Sequence, residues 1–221
     1  MFNNISPIDF DTIALGDHLC SIYQNKEQQF VPVVPFMKAG LDHHQKCFYI
    51  ADECSSGEVV AELKKGGIEI EKFIASGQFV ILTKKETYLR SGAFDPDKMI
   101  EFLKETEKDA LKDGYTGMRA TGEMTWMLEN ISDNSKLLEY EARLNDFLPA
   151  SRSAYICQYN ENKFKPEVLT AIIHTHPLLI IYGKLYRNLY FYFPAQYTKR
   201  DTISPLVNLY KRMLNDIIKS D

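Results

Sequence analysis

The feature that most constrains this chain is a repeated alternation of short apolar runs with helix-length segments. Leu19 to Tyr23, Lys46 to Ala51, Phe79 to Leu82, Met118 to Thr121 and Tyr155 to Tyr159 are each four to six residues long. Runs of that length suit buried strands and are too short for core helices. The stretches between them are long enough for a helical crossover, which parallel neighbours require and hairpins do not. The pattern predicts an α/β domain with a mostly parallel, doubly wound sheet covered by helices on both faces. With 221 residues and no Gly/Pro/Ser-rich linker or internal repeat, the whole chain, 1–221, reads as one domain.

Boundary signals refine the helices. Phe30 to Leu41 reads as helical, with Pro32 in the first turn, where its missing N–H costs nothing; Pro35 suggests a bent or late start. Ser56 is placed to cap a helix through Val59, Val60 and Leu63 that ends at Gly66-Gly67. Asp95-Pro96 opens a helix over 97–111. Further helices are expected over 135–147 and 166–175, and a last one over 204–219 whose apolar face has no evident partner. Leu178 to Ile181 is a short apolar run. The segment 186–197 interleaves Tyr186, Tyr190, Tyr192 and Tyr197 with Phe191 and Phe193, a composition that suits core packing better than a base-stacking groove.

A formal charge of −4 argues against a general nucleic-acid binder. The four cysteines form no C-x-x-C pair, and Cys20, Cys47 and Cys157 lie in apolar surroundings, as reduced buried thiols do. No basic n-region precedes an apolar run, and no stretch approaches a membrane span, so a cytoplasmic location is expected.

Several chemistries lack their signatures. After the first strand, a phosphate-cradling loop would need G-x-x-x-x-G-K-[ST], in which glycine backbone amides wrap the phosphates. This chain has Gln24-Asn25-Lys26-Glu27-Gln28-Gln29, without glycine and with an acid where phosphate would sit. There is no G-x-G-x-x-G, G-x-S-x-G or H-E-x-x-H either.

An ordered set of short motifs carries a family resemblance. These are His18-Leu19-Cys20 with Tyr23; Phe36 through Leu41; Cys47-Phe48-Tyr49-Ile50-Ala51-Asp52-Glu53; Tyr88-Leu89 with Gly92-Ala93-Phe94; Arg119 through Trp126; Tyr140-Glu141-Ala142-Arg143; Cys157-Gln158-Tyr159; and His176-Pro177. Over about residues 15–200 the chain resembles the MEDS domain, a sensory domain of methanogens and methylotrophs. The resemblance implies a relative of the RecA/KaiC-like P-loop NTPase fold with a degenerate P-loop at Gln24, Asn25, Lys26 and Glu27. It further implies a non-catalytic role in sensing small molecules, hydrocarbon derivatives among them, beside a histidine kinase or DNA-binding regulator. Neither module is present in this sequence, which leaves three outputs open: the chain acting alone, a homodimer, or a partner in trans.

The candidate ligand-binding residues are Glu53, Arg119, Thr121, Glu123, Trp126, Tyr140, Arg143 and His176. Thr121 and Glu123 fall at a strand's carboxyl end, where open α/β sheets bind ligands. Trp126, the single tryptophan, suits an apolar pocket wall. Glu123 is expected to pair with Arg143 or Arg119, since a buried carboxylate needs a partner. Gly122 is expected to let the backbone turn there. Glu141 and Arg143, two apart on a helix, cannot share a face, and Arg119–Glu141 is the other pairing open to them. Glu53 reads as an acid at a helix N-terminus. His174 and His176 would share a face on a strand but splay at a helix end. With His18 they suggest a three-histidine site, but no carboxylate stands at fixed spacing and Cys20 is the only soft ligand nearby, so neither metal nor cofactor is expected. Two rival readings remain: a non-hydrolysing nucleotide binder in which Lys26 meets a phosphate, and an interaction protein that dimerises through its last helix and aromatic segment.

Overall fold

The computed structural model describes residues 9–130, 135–191 and 207–218. Seven strands form one sheet: β1 (His18–Tyr23), β2 (Lys46–Ala51), β3 (Phe79–Thr83), β4 (Met118–Glu123), β5 (Ser153–Asn160), β6 (Leu178–Ile181) and β7 (Lys184–Arg187). Their order is β3-β2-β4-β5-β1-β6-β7. All neighbours are parallel except β6 and β7. That hairpin closes on Tyr182 and Gly183, both at positive φ, as the twist of a two-residue turn demands. The mostly parallel α/β sheet expected from the sequence is present.

Helices α1 (Lys26–Asp42), α2 (Ser56–Lys65) and α3 (Ile70–Ala75) cover one face of the sheet. Helices α4 (Pro96–Lys112), α6 (Ser135–Phe147), α7 (Pro166–Thr175) and α8 (Val207–Ile218) cover the other, with the one-turn α5 (Met127–Asn130) at its rim. Because strand side chains alternate, each strand feeds both cores. Leu19, Tyr49 and Ile156 belong to the core on the α1 face, whereas Cys20, Ile50 and Cys157 belong to the core under α4, α6 and α7.

Local chemistry explains where the boundaries differ from expectation. Helix α1 starts at Lys26, not near Pro32, because the Asn25 side chain accepts the Gln28 N–H and caps it there. Pro32 and Pro35 therefore both lie inside the helix. Ser55, not Ser56, caps α2, and the Glu58 side chain accepts from the Ser55 N–H to complete a capping box. Helix α8 has a partner after all: it packs on α7 and buries Met213, Leu214 and Ile217 in that core. Tyr192, Phe193 and Tyr197 lie outside the described residues. No helix among the described residues is long and apolar enough to cross a membrane.

Candidate functional site

Alternation along β4 and β5 divides the expected site residues between the two faces. Arg119, Thr121 and Glu123 point toward α1 with Gln158, whereas Trp126, Tyr140 and His176 lie on the α6/α7 side with Cys157. The sheet thus separates residues that the sequence grouped as one pocket.

On the α1 face, Glu123 is fully buried and meets no cation among the described residues. One carboxylate oxygen accepts the Tyr49 hydroxyl at 2.7 Å and the Gln29 amide at 3.3 Å. The other accepts the backbone N–H groups of Asp52, Glu53 and Cys54, three consecutive donors just ahead of α2. Gln29 also donates to Gln158 at 2.9 Å, and Gln158 donates to Thr121 at 2.7 Å. The expected Glu123–arginine pair is absent, because this nest satisfies the carboxylate with uncharged donors instead. Arg143 projects from the outer side of α6 and pairs with Asp97 and Glu139. Arg119 is buried at the opposite end of β4, where Gln45 accepts from its Nε at 2.8 Å and the Ile13 carbonyl from its Nη2 at 2.9 Å. Its guanidinium lies over the Phe36 ring, and burial lowers its pKa. Glu53 pairs with Lys163 beside the nest.

On the other face, Trp126 is enclosed by aromatic rings. It stacks on Tyr88 with centroids 4.5 Å apart and takes Phe94 edge-on at 4.9 Å, and Tyr140 meets Phe94 at 5.6 Å. Gly122 lies inside β4 without a positive φ, so it makes no turn. A Cβ there would come within 2.2 Å of the Tyr88 hydroxyl, so the glycine makes room for Tyr88.

Deeper on that face, four side chains from distant parts of the chain converge: His18 of β1, Glu141 of α6, Cys157 of β5 and His176 at the C-cap of α7. All are buried, and one ligand-type atom from each lies within 4.8 Å of the others. Glu141 is the partner of both histidines, at 3.1 Å from His18 Nε2 and 3.3 Å from His176 Nε2, so the Arg119–Glu141 alternative does not occur. Tyr159 donates its hydroxyl to the second carboxylate oxygen. Burial acts to raise the Glu141 carboxyl, but the facing His176 and His18 rings outweigh it and hold it below the usual carboxylate range. Burial, with His176 alongside, lowers the pKa of His18. It also pushes the Cys157 thiol well up.

Of the two arrangements open to His174 and His176, the helix end is the one that occurs, and it splays them, so no three-histidine group forms. His174 turns aside, its Nδ1 2.7 Å from the Tyr190 carbonyl. The carboxylate comes from α6, and the sulfur comes from Cys157, the register partner of Cys20 across β1 and β5. His18, Glu141 and Cys157 were all present in the motifs, but no sequence spacing links them.

At the carboxyl ends of β1, β5 and β6 a half-open groove of about 440 Å³ lies between the β5–α7 loop and α8. Gln24, Glu161 and Tyr182 form its polar lip, with Glu161 accepting from the Gln24 amide at 2.7 Å and the Tyr182 hydroxyl at 2.8 Å. Phe164, Leu169 and Leu214 form its apolar floor. Phe164 packs edge-on against Tyr159, 5.2 Å between centroids, and so connects the groove floor to the Glu141 cluster.

This architecture is shared with solved structures of two archaeal proteins. The flagellar accessory protein FlaH from Methanocaldococcus jannaschii superposes with a TM-score of 0.53 at 15% identity, over 76% of this chain and 72% of that one. The KaiC-like protein PH0186 from Pyrococcus horikoshii OT3 gives 0.52 at 12% identity, over 76% and 71%. The family itself follows from the sequence profile of MEDS, the MEthanogen/methylotroph, DcmR Sensory domain, which matches residues 17–177; the chain belongs to this family. No curated protein matches the chain.

Proposed function

We propose that this chain is a non-catalytic sensory domain that binds a small molecule with an apolar body and a polar head in the groove at the carboxyl ends of β1, β5 and β6. The observation that carries this reading is the contrast at the end of β1. An open groove lies on one side of it, and on the other the start of α1 is closed by its own side chains. Asn25 accepts the Gln28 N–H at 3.0 Å, Gln28 folds back to accept the Gln24 N–H at 2.9 Å, and Lys26 is drawn away to Glu58 at 2.5 Å. We read this turn as a degenerate phosphate loop. No glycine backbone is available to wrap phosphate, and the one lysine is engaged elsewhere. That speaks against both hydrolysis and a nucleotide-binding role for Lys26. The groove supplies what a small-molecule site needs: apolar walls with a few convergent polar groups. MEDS membership supports a sensory role, and a hydrocarbon derivative bearing a hydroxyl or amine would satisfy Glu161 while its chain covers Phe164 and Leu214.

The test is calorimetric titration of the full chain with short-chain alcohols and amines, and separately with Mg-ATP and Mg-ADP. Binding of an alcohol or amine that is abolished by Leu214→Trp, which fills the groove, and weakened about tenfold by Glu161→Ala supports the reading. Tight Mg-ATP binding with turnover would sink it.

A further inference from the structure

The groups around Glu141 are oriented in a way that a purely structural ion pair does not require. Asn145 gives its amide nitrogen to the Glu141 and Thr175 carbonyls, at 3.1 and 2.6 Å, so its oxygen must face His18 Nδ1 at 3.0 Å. His18 Nδ1 therefore carries a proton. His176 Nδ1 faces the Ile172 carbonyl at 2.9 Å, an acceptor to which it is placed to donate, with the Thr175 hydroxyl 3.0 Å away. Both rings are thereby locked with Nε2 turned inward onto the same carboxylate oxygen. His176 Nε2 is fully buried and, with Nδ1 carrying the proton, has no donor facing it: its neighbour is the Glu141 carboxylate at 3.3 Å. A single added proton could bridge Glu141 to one imidazole, but it would leave the other lone pair facing a buried anion, an arrangement that costs free energy. A divalent cation satisfies both histidines, the carboxylate and the thiolate together.

The distances agree with that occupant. Zinc–nitrogen and zinc–oxygen bonds near 2.0–2.1 Å and a zinc–sulfur bond near 2.3 Å place tetrahedral ligand atoms about 3.3–3.6 Å apart. Four of the six edges are 3.1 Å (His18–Glu141), 3.3 Å (His176–Glu141), 3.5 Å (Cys157–Glu141) and 3.7 Å (Cys157–His18), and no pair of ligand atoms is more than 4.8 Å apart, so a small inward shift of His176 closes the site. Anchoring of each histidine's far nitrogen by an amide or backbone oxygen is the outer-shell arrangement that metal-ligating imidazoles use.

We propose that His18, Glu141, Cys157 and His176 form a closed tetrahedral site for a zinc-class divalent cation. The mixed nitrogen, oxygen and sulfur donors suit zinc over magnesium or calcium. Four protein ligands leave no coordination position for water or substrate, so the ion is structural. It ties β1, β5, α6 and the end of α7 together beneath the sheet. Binding releases the Cys157 thiol proton to solvent, since the ligand is the thiolate. The site stands independently of the small-molecule groove.

The test uses the full chain, purified without a metal-binding tag. Elemental analysis is expected to find one zinc per chain. After chelation, titration with Co(II) alone is expected to give the visible bands of tetrahedral cobalt together with a near-ultraviolet thiolate-to-cobalt band. Cys157→Ser should lose the thiolate band, and Asn145→Ala, which frees the His18 ring, should weaken cobalt affinity about 10- to 100-fold. Glu123→Gln, across the sheet, should leave the stoichiometry at one. Should Cys157→Ser not fold, the wild-type spectrum decides alone. A folded wild-type chain that is purified without metal and shows no cobalt bands overturns the site, and the cluster is then an imidazolium–carboxylate pair only.

Discussion

Two buried carboxylates lie on opposite faces of one sheet, and the fold satisfies them in opposite ways. Glu123, at the carboxyl end of β4, is surrounded by donors that carry no charge: a tyrosine hydroxyl, a glutamine amide and three successive backbone amides. Glu141, in the middle of α6, meets two imidazoles and a thiol, groups that change protonation or bind metal. The first arrangement is complete as it stands and joins α1, β2, β4 and the start of α2. The second converges lone pairs on one point, which is the basis of the cation site proposed above. Burial of a carboxylate therefore does not by itself mark a functional site; the chemical type of the facing groups separates a structural clasp from a binding centre.

The largest expected effect tests the clasp. Glu123→Ala leaves five donors without their acceptor, each costing about 1–3 kcal/mol when unpaired, so a loss of roughly 3–5 kcal/mol is expected after local relaxation. Urea unfolding measures it, and the loss should be the same with and without chelator. Glu141→Gln should behave differently: its deficit against wild type should shrink once both proteins are stripped of metal, because the wild type then loses the same contribution. Equal chelator responses in the two variants would erase the distinction between the two sites.

Gly122→Ala addresses the packing between them. The added methyl meets the Tyr88 hydroxyl, and a cost of about 1–3 kcal/mol is expected for overpacking a filled core. Trp126, stacked on Tyr88, should report the shift through its fluorescence while the far-ultraviolet dichroism stays constant. Unchanged stability and emission would mean that Tyr88 swings away at little cost.

The smallest effect concerns Arg143. Its ion pairs with Asp97 and Glu139 are exposed, so Arg143→Met should cost under about 1 kcal/mol. Combined with Glu123→Gln, the two costs should add to within about 0.5 kcal/mol, since the residues share no partner. Coupling well beyond that in a denaturation cycle would restore the pairing that charge sign alone suggests and would undo the account of the clasp.

Much of the architecture was legible in the chain. Lys46 to Ala51, 135–147 and 166–175 form the elements expected of them, because apolar periodicity and Pro or Gly punctuation are local signals. Helix α3 and strand β7 gave no such signal. Ile70–Ala75 has only six residues, and the pairing of β7 depends on a tight turn at Tyr182-Gly183 that offers no Asn-Gly or Asp-Gly cue. Sequence spacing also settled that Glu141 and Arg143 point to different sides of one helix: Glu141 is buried and Arg143 is on the outside.

What the sequence determined by itself was the element order, the family motifs and the lack of a glycine phosphate loop, all of which depend on near neighbours along the chain. Only the tertiary structure decided the partners. Which side chain faces Glu123 or Glu141 depends on the strand order β4-β5-β1 and on a side-chain period of two, which sends Thr121 and Gly122 to opposite cores. His18 and Glu141 are far apart in sequence and 3.1 Å apart in the fold, a contact that exists only once β1 is inserted between β5 and β6 and α6 packs across it.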